Sequence, residues 1–141
     1  MSDYQSWFAR SVGDWVSDRR YLYYAPGKEP KVQNLVTNFT IADRGEGEFC
    51  ITWTGQTDGE MVVQVDGATL HRDIGYFSNE PTDSALSRVD EDTVVMVTTY
   101  GGVTYREEIR LLENDTLRLR QTVGMKGDQM VLAGQYVERR Q

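Results

Sequence analysis

The chain reads as an all-β protein: a closed antiparallel barrel of about ten strands, entered through a short N-terminal helix. Three observations carry that expectation. From Trp15 onward, short runs rich in Val, Thr, Tyr and Ile alternate in polarity, as strands with one buried face do. Turn signals separate these runs at close intervals: Pro26-Gly27, Asp43-Arg44-Gly45, Asp58-Gly59, Asp66-Gly67, Gly101-Gly102, Asn114-Asp115 and Lys126-Gly127-Asp128. An open sheet of that many strands would leave exposed edges, which a barrel removes by closing on itself.

The elements follow in order. Residues 3–12, DYQSWFARSV, space Trp7, Phe8 and Val12 at helical intervals without Gly or Pro, which predicts an amphipathic helix serving as a lid or plug. Strands are expected at 14–24, 32–41, 47–55, 60–66, 68–75, 84–89, 93–100, 103–112, 116–124 and 128–138. The stretch 76–83, YFSNEPTD, is the expected surface loop. No repeat, linker or low-complexity segment interrupts the chain, so residues 1–141 are expected to form a single domain. A barrel of this size encloses room for one small ligand.

Composition narrows the function. A balance of 15 Lys and Arg against 22 Asp and Glu, net -7, argues against phosphate-backbone binding, so nucleic acid is not expected as a partner. One cysteine, Cys50, and one histidine, His71, provide neither a disulfide framework nor a metal-ligand cluster. Chemistry has to come from Arg, carboxylates, Tyr and Trp. With no signal-like N-terminus and no apolar run of bilayer length, the expectation is a soluble cytoplasmic protein without membrane association.

The stretch LRLRQT, 117–122, is where a binding site first suggests itself. Side chains alternate along a strand, so Arg118, Arg120 and Thr122 share one face and Leu117 and Leu119 the other. Along 103–112, Glu107 stands on an otherwise apolar face with Val103, Tyr105, Ile109 and Leu111, while Thr104, Arg106, Glu108 and Arg110 share the other. A two-residue turn at Asn114-Asp115 sets Leu111 opposite Arg118, Ile109 opposite Arg120 and Glu107 opposite Thr122; a three-residue turn pairs Glu108 with Arg120 on an outer face. Both registers are open at the level of sequence. In the second, the leucines point inward and the charges are solvated. In the first, two arginines and a glutamate lie inside a barrel, a costly arrangement unless a ligand carrying about two acid groups pairs with them. Trp53, in ITWTG, would offer such a ligand a flat wall.

Gly13-Asp14-Trp15, opening the first strand behind a short helix, resembles the Gly-x-Trp signature of the lipocalin and fatty-acid-binding superfamily. There a Trp plugs the closed end and an Arg near the C-terminus packs across it, a part for Arg139 or Arg140. More of the chain carries a closer likeness. GDWVSDRRYLYY (13–24), LHRDIGYF (70–77), YREEIRLL (105–112), LRLRQT (117–122) and GQYVERR (134–140), in that order, resemble the S-type phycobiliprotein lyases, the CpcS/CpeS family of bilin chaperone-lyases.

That resemblance implies a lipocalin-like barrel that binds a free linear tetrapyrrole and delivers it to a cysteine of an apo-phycobiliprotein as a thioether. The lyase has no cofactor of its own; the bilin is its substrate. On this reading Arg118 and Arg120 grip the two propionates, Thr122 adds a hydrogen bond, Trp53 stands near the pocket, and Arg72 and Asp73 belong to the motif Arg-Asp-x-Gly-Tyr. Glu107, or Glu108 in the other register, is the acid that would make the ring A ethylidene group electrophilic by protonating or hydrogen-bonding the pyrrole nitrogens. The nucleophile belongs to the acceptor, which leaves Cys50 a packing residue. Phycoerythrobilin and a phycoerythrin subunit are the favoured substrate and acceptor, with a bilin reductase as donor and a homodimer as the assembly. The chain departs from the family pattern at His71, where many relatives carry Tyr, and at Leu117 and Leu119. A non-catalytic bilin carrier and a partner subunit of another lyase are the alternatives the same residues allow.

Overall fold

The computed structural model describes residues 3–74 and 79–141. Helix α1 (Asp3–Ala9) precedes ten strands: β1 (Gly13–Tyr23), β2 (Lys31–Gly45), β3 (Glu48–Thr54), β4 (Gly59–Asp66), β5 (Thr69–Arg72), β6 (Thr82–Arg88), β7 (Thr93–Tyr100), β8 (Val103–Leu112), β9 (Leu117–Lys126) and β10 (Gln129–Arg140). Sequence neighbours pair antiparallel throughout, and β1 also pairs with β10, from Trp15↔Arg140 to Tyr23↔Leu132, closing the barrel. The expected fold class is the one observed.

Boundaries differ where local chemistry outweighs the turn signals. The helix stops at Ala9 instead of residue 12, and the chain leaves it through tighter turns in which Arg10, Ser11 and Val12 donate to the carbonyls of Trp7, Phe8 and Ala9. Strand β2 runs through Asp43-Arg44-Gly45, because a bulge there lets the ladder continue to Gly45↔Glu48 while Asp43 Oδ1 accepts from Gly45 N–H. Strand β5 ends at Arg72 instead of residue 75. Of the expected loop 76–83, Thr82 and Asp83 already belong to β6, and residues 76–78 lie outside the described residues.

The core is the barrel interior, filled from alternate positions of every strand. Trp15, Phe39, Phe49, Val65, Val94, Ile109 and Leu111 pack into one cluster with Trp7 of α1. Trp7 is 1% exposed and its indole N–H donates to the Asp92 carbonyl. Gln5 reaches across to the Val65 carbonyl. The helix therefore plugs one end of the barrel, the plug role expected of it. No helix among the described residues is long and apolar enough to cross a membrane.

An arginine clasp ties the plug to the strands. The Arg140 guanidinium lies 4.5 Å from the Trp15 ring centre and donates to the carbonyls of Val12, Arg10 and Asp115. Of the two arginines offered by the sequence, Arg140 is thus the one across the Trp. Gly13 leaves room for it: a Cβ there would come within 2.6 Å of Arg140 Nη1, and the Gly13 φ of 132° is one that other residues rarely adopt. Arg10 completes the clasp with ion pairs at 2.7 Å to both Asp92 and Asp115.

Arg140→Ala removes three hydrogen bonds from a charged donor and a cation–π contact, so it is expected to lower unfolding free energy by about 2–3 kcal/mol. Urea unfolding followed by Trp fluorescence measures it, and a midpoint equal to that of the wild type would show the clasp to be idle.

Candidate functional site

Strands β8 and β9 pair as Leu111↔Arg118, Ile109↔Arg120 and Glu107↔Thr122. This is the first of the two registers, and it turns the arginines inward. The turn that sets it, Glu113 to Thr116, places Glu113, Asn114 and Asp115 at φ of 53°, 55° and 63°, closed by Thr116 N–H and Oγ1 donating to the Glu113 carbonyl. Leu119 is correspondingly pushed outward and is 38% exposed.

The arginines look into a cavity of about 570 Å³, within the range of small-molecule sites. It has two unlike walls. Phe49, Ile51, Trp53, Met61, Val63 and Leu70, from β3 to β5, make an apolar one. Trp53 lies flat over Gly59, its partner across the β3–β4 ladder, where a Cβ would stand 2.2 Å from the indole. The opposite wall is ionic: Arg19 from β1, Glu107 from β8, and Arg118 and Arg120 from β9, with Arg72 of β5 reaching it through Glu107. Tyr21, Tyr23, Leu35 and Thr57 line the cavity away from the plugged end.

Two carboxylates organise the cations. Glu138 on β10, fully buried, accepts from Arg118 Nε at 3.1 Å and Arg120 Nη1 at 3.2 Å, with Arg19 Nη2 at 3.8 Å. Glu107, 3% exposed, sits 3.4 Å from Arg72 Nη2 and 3.7 Å from Arg120 Nη2. Aromatic faces support the same guanidinium groups: Arg118 is 5.5 Å from the Trp15 ring centre and Arg120 is 4.6 Å from that of Tyr136. Burial pushes the Arg118 guanidinium down to about 10, with Glu138 opposing the shift and Arg120 and Arg19 adding to it. Burial alone would raise the Glu138 carboxyl, but Arg120 and Arg118 outweigh it and hold the group below the ordinary carboxylate range.

Four guanidinium groups facing two carboxylates leave the interior with two unbalanced positive charges. Two buried atoms also make no hydrogen bond among the described residues: Arg72 Nε, and Glu107 Oε2, which faces Arg120 Nη2 at 3.7 Å. A site of this kind accepts a molecule with two acid groups on one edge and a broad apolar body behind them.

The residues singled out from sequence divide by strand parity. Arg118, Arg120, Glu107, Arg72 and Trp53 all line the cavity. Glu108 does not; it faces outward, 3.4 Å from Arg110 and 3.5 Å from Arg106. Asp73 is exposed beyond the end of β5, where its Oδ1 caps Val62 N–H, so it is not a cavity residue. Thr122 is buried, but its hydroxyl is engaged 3.2 Å from Tyr136 Oη rather than lining the cavity. Arg19 and Glu138 escaped the sequence reading. Counting in twos from Trp15 reaches Arg19, and counting back from Arg140 reaches Glu138, so parity alone, extended from the closed end, finds both.

The sequence model of the family described as CpeS-like protein matches residues 28–141. The chain belongs to that family. Among curated proteins this CpeS-like chain is 25% identical to a candidate phycocyanobilin lyase, CpcS 2, of Nostoc sp., over 94% of its own length and 88% of that relative's. It is 23% identical to a candidate chromophore lyase, CpcV, of Picosynechococcus sp., over 96% and 80%. Among solved structures, the S-type phycobiliprotein lyase CpeS of Guillardia theta superposes with a TM-score of 0.71 at 20% identity, covering 100% of this chain and 93% of that one. At that identity the likeness is one of fold.

The depressed Glu138 carboxyl makes stability depend on pH with a definite sign. The group is charged when folded at pH values where its unfolded counterpart takes up a proton, so its contribution is complete above the unfolded carboxylate range and is lost as pH falls through the folded value. Glu138→Gln should cost about 3–5 kcal/mol near neutral pH, and its deficit should shrink below about pH 5. Urea midpoints of both proteins across pH test this, and a constant deficit would contradict it.

Proposed function

We propose that this CpeS-like chain is a bilin lyase: it binds a free linear tetrapyrrole in the barrel and attaches it through a thioether to a cysteine of an apo-phycobiliprotein. The observation that carries this reading is the charge of the cavity. An interior with an excess of two positive charges opposite an apolar wall matches a bilin, whose two propionates leave one edge of a long conjugated body. Arg118 and Arg120 take the propionates, with Arg19 beside them, while the pyrrole rings lie against Trp53 and its apolar neighbours.

The chemistry follows from what the chain offers and lacks. The acceptor thiol adds across the exocyclic double bond of ring A: the S–H bond breaks, the S–C bond forms at the outer carbon, the π pair moves into the conjugated system, and the tetrapyrrole takes up one proton in balance for the one the thiol gives up. Nothing leaves. Glu107, buried between Arg72 and Arg120, is the group we assign to hydrogen-bond or protonate the pyrrole nitrogens and draw electrons from the ethylidene carbon. On this reading ring A lies toward the end of the cavity near Tyr21, Tyr23 and Leu35, away from the plug, where an external thiol has access. The cavity walls keep the bilin extended and limit misoriented attack.

Phycoerythrobilin and a phycoerythrin subunit are the substrate and acceptor we favour, in a cytoplasmic setting with a bilin reductase as donor. A homodimer belongs to the same reading, because Leu119 and Val137, neighbours across the β9–β10 ladder, face outward at 38% and 37% exposure.

Titration of the purified protein with phycoerythrobilin, beside phycocyanobilin, should give a red-shifted, structured absorbance that collapses in Arg118→Ala/Arg120→Ala. Adding an apo-phycobiliprotein with its acceptor cysteine should then yield a covalent adduct, and Glu107→Gln should bind bilin while slowing adduct formation by about a hundredfold or more. Binding without adduct would make the chain a carrier; no binding of either bilin would remove the reading.

A further inference from the structure

Glu138 has been described so far as a counter-ion, and its geometry implies more. It stands on β10 between Ser17 of β1 and Arg118 of β9, its partners across the two ladders. From there one carboxylate holds three guanidinium groups that come from two different strands: Arg118 at 3.1 Å, Arg120 at 3.2 Å and Arg19 at 3.8 Å. Without it, these like charges would crowd one wall with only Glu107, 3.7 Å from Arg120, to offset them.

Resting on the bilin reading above, we propose that Glu138 is a positioning residue, which pre-sets the cationic wall so that Arg118 meets a ligand carboxylate already oriented. Which donors it uses carries the inference. The Arg118 side chain commits Nε to Glu138 and makes no other side-chain hydrogen bond among the described residues, so the two Nη groups that make the bidentate fork remain for the cavity it lines. A carboxylate competing with the ligand would sit in that fork; Glu138 sits beside it. Arg120 differs, because its Nη1 and Nη2 lie between Glu138 and Glu107. It links the wall that holds the acid groups to the carboxyl assigned to the chemistry. Glu138 also sets the charge that the ligand must balance: neutralising it would leave three positive charges in place of two.

The test compares phycoerythrobilin with its dimethyl ester on wild type, Glu138→Gln and Glu138→Asp, because a pairing between guanidinium and propionate exists for the acid alone. Loss of positioning should weaken the acid by about tenfold or more and leave the ester within about twofold, so the acid-to-ester ratio falls by about tenfold in Glu138→Gln; Glu138→Asp, which keeps the charge, should recover part of it. Equal weakening of acid and ester would reduce Glu138 to a structural counter-ion. Tighter binding of the acid by Glu138→Gln would make Glu138 a competitor of the ligand. Either result overturns the proposal. Wild type that binds neither form would instead remove the bilin reading itself. A measurement on ligand-free wild type keeps the claim testable should the variants unfold: with Arg side chains labelled with ¹⁵N, the Arg118 Nε–H should exchange slowly with solvent. Rapid exchange would show that the wall is not set before the ligand arrives.

Discussion

The parity of one hairpin decides what this barrel is for. A shift of one residue between β8 and β9 would carry Arg118, Arg120 and Glu107 to the outside and leave an ordinary apolar interior. The turn that holds the register is not an easy one. Glu113, Asn114 and Asp115 are successive non-glycine residues in the left-handed region, which L side chains visit at a cost. What holds them is the clasp at the plugged end: Arg10 pairs with the Asp115 carboxylate and Arg140 takes its carbonyl. Packing of the N-terminal helix and chemistry of the cavity, which look like separate features, are therefore mechanically joined through Asp115.

Placing six ionised groups inside a barrel of this size works against stability, since desolvation exceeds what ion pairs return unless hydrogen bonds and geometry are good. The arrangement limits the cost. Each carboxylate is shared between arginines from different strands, and aromatic faces of Trp15, Phe39 and Tyr136 cover guanidinium planes where no anion does. The imbalance that remains is concentrated on the wall that lines the cavity. A site strained in this way departs from the rules of a good core where function requires it, and the apolar closed end supplies the packing.

How far this was legible depends on how far periodicity reaches. Alternation and turn residues exposed all ten strands, and Gly13 and Trp15 pointed to a C-terminal arginine partner, with Arg139 and Arg140 left undecided. Register was not readable, because Asn114-Asp115 suits a left-handed turn while nothing in Glu113 announces that it joins them. Once the hairpin is fixed, neighbours separate. Glu107 goes in and Glu108 out; Arg72 goes in and Asp73, the next residue, lies past the strand on the surface. Thr122 shares the inward face yet is spent on Tyr136, a contact set by β10 across the ladder, which no local pattern encodes. Arg19 and Glu138 lie in charged stretches, SDRR and VERR, where charge alone does not set them apart. Polarity marked them as surface; only their phase relative to Trp15 and Arg140 marks them as interior.

Charge is distributed against the sign of the whole molecule. A net charge of -7, with two positive charges in excess inside, puts nine net negative charges on the exterior. A dianionic ligand approaching from solution meets repulsion at long range, which salt screens within about 8–10 Å. Attraction is strongest inside the cavity, where the guanidinium groups are largely buried and act at a lower dielectric than in water. A cationic interior beneath an acidic exterior favours selection of an anion by fit and pairing within the cavity over steering from a distance. Inward arginines also oblige the alternate positions of β9 to face out, and those are Leu119, Gln121 and Val123, the two apolar ones at 38% and 39% exposure. The same periodicity that builds the ionic wall thus sets exposed Leu119 and Val123 directly behind it on an otherwise acidic surface.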